Sequence, residues 1–165
     1  MVDNSLMLND SKTEVLHVTS KFSNVSTIPS LTAGDSSIFP AQKVRNLGAI
    51  FDSHLSMTPH VNNICRSASF ALRKIGKIRN YLDKSTTEQL IHAFVSSRLD
   101  SNNILLAGLP SKDISKLQRI QNSAARLVSR TKKRAHITPI LQDLHWLPVH
   151  HRINFKLLLL TQDFK

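Results

Sequence analysis

The spacing of the apolar residues changes near Thr58, and this change constrains the fold more than any other feature of the sequence. Before Thr58, short runs rich in β-branched residues alternate with Ser, Thr, Pro and Gly, which is typical of strands and turns. After it, apolar or small residues recur once per helical turn. The sequence therefore predicts an α+β fold, with a small N-terminal antiparallel β-sheet followed by a helical bundle.

The first part of the chain contains several candidate strands. Thr13–Thr19 is rich in β-branched residues, and Lys43–Phe51 is predicted to form a single strand with a glycine inside it, which indicates a bulge or a close backbone approach. Residues 34–35 are Gly-Asp and predict a turn that joins a strand at Leu31 to one beginning near Ser37.

The second part of the chain shows repeated helix starts. Thr58 and Pro59 are favourable N-cap and first-turn residues, and the apolar period that follows predicts a helix of about six turns ending near Leu82. Later helices are predicted to start at a capping box, Ser85–Glu88, and at Pro110–Ser111, Thr138–Pro139 and Pro148. These boundaries predict three regions: a strand region over 1–56, a helical domain over 57–135 and a helical extension over 136–165.

The positive charge is confined to the helical part. The chain has 22 Lys and Arg against 11 Asp and Glu, a net charge of +11. Residues 1–65 hold 4 basic and 5 acidic residues, whereas residues 66–165 hold 18 and 6. A positive field of this size attracts a polyanion, nucleic acid first and an anionic membrane surface second. Composition alone supports equally well a basic surface that only keeps the protein soluble.

Helical geometry places the basic residues opposite the apolar ones in the first and third predicted helices. An ordinary exposed helix face mixes Glu with Lys, because pairs of opposite charge one turn apart are stabilising. The single sign seen here favours binding to a nucleic-acid backbone over a merely solvated face. Phe70 lies on the same side and either stacks on a base or packs locally. The candidate nucleic-acid-binding residues are Arg66, Arg73, Lys77, Lys112, Lys116, Arg119, Arg126, Arg130, Lys132, Lys133 and Arg134.

Motifs for catalysis or metal binding are weak. No two acidic residues are adjacent, and the sequence has no Gly-rich phosphate loop. His145, His150 and His151 cluster, but their spacing matches no standard zinc pattern, so packing or phosphate contact is the favoured interpretation. The single Cys65 excludes an intramolecular disulfide and is expected to be a small buried hydrophobe. We therefore expect no metal or cofactor.

Other features bear on location and packing. No uncharged stretch exceeds 13 residues, against the roughly 20 needed to span a bilayer. Together with the single cysteine, which fits a reducing compartment, this predicts an intracellular protein of the nucleus or cytoplasm. Arg98 lies on the apolar side of the second helix, and is expected either to pair with Asp100 or Asp83 or to extend to water.

The last helix is apolar nearly all round, from which we expect the chain to be part of something longer.

Several stretches carry the motifs of one enzyme family. The first is NSLMLNDSKTEVL, which contains Leu8, Asn9, Lys12 and Thr13, and the second is VRNLGAIFDSHLSMTPHV, which contains Leu47, Gly48, Asp52 and His60. The third to fifth are TTEQLIHAFVSSRLD, LQRIQNSAARLV and HITPILQDLHWLPVHHRI. Together they resemble the C-terminal part of the reverse transcriptase, an RNA-directed DNA polymerase, of non-LTR (LINE-type, jockey-like) retrotransposons.

The resemblance implies a role for each region. The first stretch would be the end of the palm, the second the hairpin that grips the primer, and the rest a thumb that holds the template and primer. Lys12 would lie in the palm loop that assists the leaving group, and Gly48 in the primer-grip turn. The family's Asp-Asp pair, which binds Mg²⁺, would precede this chain, as would the fingers and the rest of the palm.

Three hypotheses follow. The leading one is a transposable-element fragment whose thumb-like region binds an RNA or RNA–DNA duplex backbone and which has no catalytic activity of its own. The second is a non-functional transposon relic, consistent with Ser101-Asn102 standing where the family usually has Tyr-Cys. The third is a basic helical adaptor that binds an acidic protein or a lipid surface.

Overall fold

A computed structural model describes residues 12–22, 28–33 and 36–162 of the chain. The chain divides into two compact units, residues 1–59 and 60–165. The first holds short strands and the second holds helices, so the α+β class predicted from the sequence is confirmed. In the described residues, none of the helices combines the length and hydrophobicity that a membrane-spanning helix needs.

The strands of the first unit form separate two-stranded sheets. Strand β1 pairs with β4 in parallel, whereas β2 with β3 and β5 with β6 are antiparallel. The strands are β1 Val15–Leu16, β2 Leu31–Ala33, β3 Ser36–Ile38, β4 Pro40–Ala41, β5 Lys43–Asn46 and β6 Ala49–Asp52. The prediction of one antiparallel sheet was therefore too simple, and the expected strand at Thr13–Thr19 is reduced to two residues.

The segment predicted as one strand, Lys43–Phe51, is a hairpin. Leu47 has a φ of 47° and Gly48 a φ of 84°, and Asn46 pairs with Ala49 across this two-residue turn. Positive φ at both central residues is the type I′ pattern, whose twist matches that of the strands on either side. Gly48 thus lies in a hairpin turn, where its positive φ lets the chain reverse direction, and it does not mark a bulge.

The other predicted strand pair is confirmed. Leu31 lies opposite Ile38, and Thr32 lies opposite Ser37, in the antiparallel pair of β2 and β3. The turn predicted at residues 34–35 lies outside the described residues.

The helices of the second unit follow the predicted order. Helix α2 continues without a break through a π-helical turn at His92–Ser96 into α3. A 3₁₀ turn at Arg79–Tyr81 follows α1, and another at Asn103–Leu106 follows α3. The helices are α1 Thr58–Ile78, α2 Lys84–Ile91, α3 Ser97–Asp100, α4 Ser111–Ser129, α5 Ile137–Asp143 and α6 Val149–Gln162.

The start of α2 differs from the predicted capping box. Asp83 is the N-cap, and its carboxylate accepts a hydrogen bond of 2.6 Å from the backbone N–H of Thr86. Glu88, which the capping box would have used, instead accepts a bond of 3.2 Å from the indole N–H of Trp146. Asp83 is the better cap because its carboxylate is charged and reaches the third N–H of the helix.

Helix α4 is central to the core of the second unit, where it contacts α2, α5 and α6. Its side-chain amides also hold the segment that leads into α6. Gln121 donates a bond of 2.8 Å to the carbonyl of Leu147, and Gln118 accepts one of 2.9 Å from the N–H of Val149. The apolar core residues that α1 and α4 contribute are Val61, Ile64, Ala68, Ala71, Ile75, Leu117, Ala124, Ala125 and Val128.

Candidate nucleic-acid interface

Helices α1 and α4 lie side by side and run in the same direction. Near their starts, Lys116 Nζ donates a hydrogen bond of 3.2 Å to Asn62 Oδ1. Farther along, a Cβ added to Gly76 would lie 3.9 Å from Leu127 Cδ1. Contacts between early residues of both helices, and then between late residues of both, require a parallel arrangement.

The cations of α1 lie on its exposed side, next to the edge at which Asn62 contacts α4. Arg66, Arg73 and Lys77 follow Asn62 by 4, 11 and 15 residues, a spacing that returns to the same side of a helix. All three are exposed. Because Asn62 contacts α4, these three side chains line the outer edge of the groove between the helices.

The cations of α4 line the opposite edge of that groove. Lys112 precedes Lys116 by 4 residues and Arg119 follows it by 3, so these three share one side of α4. Arg130 is the C-cap of α4 and donates a hydrogen bond to the backbone carbonyl of Arg79 at the end of α1. Arg126 follows Arg119 by 7 residues and so lies about 20° from it round the helix. We call the eight cations of α1, α4 and the C-cap of α4 the basic face: Arg66, Arg73, Lys77, Lys112, Lys116, Arg119, Arg126 and Arg130.

The loop after α4 adds further predicted cations. Lys132, Lys133 and Arg134 are all exposed. Lys133 lies beside α4, because it lines a surface groove of about 530 Å³ together with Arg119 and Arg126. The structure thus brings Lys133 to the basic face and places Lys132 and Arg134 on the same loop.

Carboxylates compensate little of this charge. In the described part of the chain, Lys116 alone of the basic face forms an ion pair, with the buried Asp113 at 2.8 Å. Other side chains of the basic face form hydrogen bonds to neutral backbone carbonyls. For example, Arg119 Nε donates to Ser115 O at 3.2 Å. The basic face therefore keeps most of its positive potential, which is what a polyanion requires.

Arg79 is a buried neighbour of the basic face that sequence reasoning does not single out. It is only 6% exposed, and its guanidinium donates bonds of 2.8 and 2.9 Å to the carbonyls of Leu127 and Val128 and one of 2.7 Å to Leu82. Burial and the neighbouring Arg130 lower the pKa of Arg79. The helical period could have indicated that Arg79 is buried, because Arg79 follows the core residue Val61 by five full turns and so points to the apolar side.

Arg79 also positions a member of the basic face. Arg130 Nη2 donates a hydrogen bond of 3.2 Å to the backbone carbonyl of Arg79. The buried arginine therefore joins the end of α1 to the end of α4, and the exposed arginine is held over that junction.

Two other predicted residues lie at or near the groove. Cys65 is half-buried, and burial raises the pKa of its thiol although Lys116 and Arg119 act in the opposite direction. Phe70 is 54% exposed, and Lys74 Nζ lies 4.6 Å from the centre of its ring, in cation–π contact.

The residues carried over from the family resemblance belong to the N-terminal unit. Lys12 is exposed at the first described position, and Gly48 occupies the hairpin turn. Leu8 and Asn9 lie outside the described residues. In the same unit, Asp52 accepts bonds of 3.2 and 3.0 Å from the N–H groups of Ser56 and Met57.

Two members of the histidine cluster pack against each other. The rings of His150 and His151 meet edge to face at 5.5 Å, while the buried Trp146 lies 5.2 Å from His92. The described residues contain no group of three or more His, Cys, Asp or Glu side chains that would hold a metal ion.

Arg98 extends to water. Its side chain is exposed, and both carboxylates suggested as partners are engaged elsewhere. Asp100 forms a two-pronged ion pair with Arg152, and Asp83 caps α2. Of the two alternatives for this residue, the exposed arrangement is the one observed.

A search of protein-family models, of curated proteins and of solved structures found no match to this chain.

Proposed function

We propose that the helical unit binds the phosphate backbone of a nucleic-acid duplex along its basic face, as the thumb-like part of a non-LTR retrotransposon reverse transcriptase. The single observation that supports this proposal is the placement of two basic stripes along one groove between parallel helices. Among the described residues of the basic face, Lys116 is the one member in an ion pair. Repulsion between like charges makes such an arrangement unfavourable unless an anion compensates it.

The geometry suits recognition by shape. Helix α1 has 21 residues and is therefore about 30 Å long, enough to follow several phosphates of a duplex. Phosphate contacts position a duplex without reading its sequence, and A-form helices, to which RNA–DNA hybrids are similar, are recognised chiefly by shape and backbone. We therefore expect binding that is strong at low salt and shows little sequence preference.

The chain is proposed to do no polymerase chemistry of its own. The carboxylates whose contacts are described serve structural roles, in caps or in pairs with basic or indole groups. Those carboxylates are Asp52, Asp83, Glu88, Asp100 and Asp113. The purified protein should not incorporate deoxynucleotides on a primed RNA template with Mg²⁺; incorporation would overturn this part of the proposal.

A salt series tests the binding. Fluorescence anisotropy with a labelled RNA–DNA hybrid should show log Kd rising linearly with log salt. The triple variant Arg66→Gln/Arg73→Gln/Lys77→Gln should reduce the slope by about 2–3, since each lost phosphate contact removes about 0.9.

The matched control removes the same charge elsewhere. Lys84→Gln/Arg98→Gln/Lys156→Gln changes three exposed cations on α2, α3 and α6. Equal losses in the two triple variants would show that the basic face is not the site. If the protein does not bind the hybrid but binds anionic vesicles or an acidic protein, the result would support the alternative hypothesis of a basic helical adaptor.

One observation favours the relic as a second candidate. Phe155, Leu158 and Leu159 on α6 are 56%, 62% and 44% exposed, although all are large and apolar. Strong binding of a hydrophobic dye without a cooperative melt would support a relic, whereas a cooperative melt supports a folded binding module.

A further inference from the structure

We propose that the groove between α4 and the loop after it binds a terminal phosphate of a nucleic-acid strand. This inference rests on the proposed function, because the groove lies along the basic face and shares Arg119 and Arg126 with it. We call it the phosphate groove; its polar lining residues are Arg119, Asn122, Ser123, Arg126, Thr131 and Lys133.

The charge of the groove matches a phosphomonoester. Arg119, Arg126 and Lys133 bring three positive charges to its lining, and no carboxylate is among the lining residues. An internal phosphodiester carries one negative charge, whereas a phosphomonoester carries about −1.5 to −2 at pH 7 and has three strong acceptor oxygens. The three cations are therefore better compensated by a strand end than by the backbone.

Two of the cations are held in place by the protein. Arg119 Nε donates to Ser115 O, and Arg126 Nη2 donates to Ala135 O, both at 3.2 Å. Each bond uses one N–H of the guanidinium and leaves other N–H groups for a ligand. The bond to Ala135 also ties the loop to α4, which keeps Lys133 on the groove.

One nitrogen of the Arg126 guanidinium lacks a hydrogen-bond acceptor in the described part of the chain. Its Nε is buried and has no hydrogen-bond partner in the described part of the chain. A guanidinium with an unsatisfied N–H is stabilised by an anion nearby even when that anion contacts only its other nitrogens.

Neutral donors complete the lining. Asn122 Oδ1 accepts a bond of 2.7 Å from Gln118, so the amide N–H₂ of Asn122 remains a donor. The volume of about 530 Å³ falls within the range of about 300–1,000 Å³ usual for small-ligand sites. The groove thus has room for a terminal nucleotide and not only for its phosphate.

The test compares strands that differ only in their ends. Anisotropy is measured for one internally labelled hybrid carrying a 5′-hydroxyl, a 5′-phosphate or a 3′-phosphate. The full chain should bind a phosphorylated end about 5–10-fold more tightly than the hydroxyl. Lys133→Met, a change on an exposed loop, should abolish this difference.

The matched control is Lys112→Met, which removes a cation of the basic face outside the groove. It should weaken binding of all three hybrids equally and preserve the preference for the phosphate. If Lys133→Met keeps the preference, the phosphate groove is not its source.

The remaining outcomes separate this inference from the proposed function. Equal affinity for all three ends, with the expected salt dependence, would refute the phosphate groove and leave backbone binding intact. Absence of binding to any hybrid would refute both. If inorganic phosphate binds as tightly as the phosphorylated strand, the groove is a free-anion site and the assignment to a strand end is wrong.

Discussion

At the scale of single residues, one buried guanidinium connects the two helices that carry the basic face. Arg79 donates to the last carbonyls of α4, which have no partner inside the helix, and to Leu82 in the turn after α1. The cost of burying its charge is offset by three hydrogen bonds to carbonyl dipoles. Arg79 therefore positions the basic face, while its own side chain is shielded from solvent.

Replacing this residue should destabilise the helical unit. Arg79→Met keeps the length of the side chain and removes all three donated bonds, which should lower the free energy of unfolding by about 2–4 kcal/mol. Urea denaturation followed by circular dichroism measures the loss. Arg98→Met, at an exposed position, should change stability by less than about 0.5 kcal/mol. Equal stabilities of the two variants would contradict the structural role given to Arg79.

Sequence reasoning at this scale identifies exposed cations better than buried ones. The positions of Arg66, Arg73 and Lys77 follow from helical period alone, because each lies opposite the apolar face. Arg79 lies on the apolar side, where a charged residue is unexpected, and its acceptors are carbonyls almost 50 residues away in the chain. No local pattern reveals such partners.

At the scale of elements, helix starts were more predictable than strand pairing, since the signals for helix starts are local. Proline and serine or threonine mark the beginnings of α1 and α4. The pairing of β1 with β4 joins residues about 25 apart and depends on tertiary contacts. The hairpin turn at Leu47 lacks the usual Asn-Gly sequence, so local propensity predicts the inside of a strand there, whereas the family resemblance implies a hairpin turn at Gly48.

The N-cap of α2 predicts a dependence of stability on pH. The backbone N–H of Thr86, followed by its side chain, holds the pKa of Asp83 below the ordinary value. A carboxyl group whose pKa is lower in the folded state stabilises the protein above its unfolded pKa, and this contribution is lost as the pH falls through the folded pKa. Asp83→Ala should therefore lower Tm at pH 7, and its gap to the wild type should close below about pH 4.

A second substitution separates the charge of the cap from its hydrogen bond. Asp83→Ser keeps an oxygen acceptor that does not titrate, so Tm of this variant relative to Asp83→Ala should stay constant between pH 7 and pH 2. A gap between the wild type and Asp83→Ala that persists unchanged at pH 2 would show that ionisation of Asp83 does not matter to α2.

At the scale of the whole molecule, the charge is segregated between the two units, and the eight cations of the basic face converge on one groove. The segregation is visible in the sequence, as 18 basic residues against 6 acidic ones after residue 65. The convergence is not, because it depends on α1 and α4 being parallel neighbours although α2 and α3 separate them in the chain. Two basic stripes on antiparallel or distant helices would have had the same sequence signature.

This convergence predicts opposite effects of salt on the free and the bound protein. Raising NaCl from about 20 mM to about 300 mM shortens the Debye length from about 20 Å to about 6 Å and screens the repulsion among the cations. Tm of the free protein should therefore rise, by about 2–5 °C, while affinity for the RNA–DNA hybrid falls. Arg66→Gln/Arg73→Gln/Lys77→Gln should show a smaller rise in Tm, because it has less repulsion to screen. A Tm that falls with added salt would mean that attractive ion pairs dominate the charged surface. The protein's own carboxylates would then compensate the cations of the basic face, which would contradict the proposal that these cations bind a polyanion.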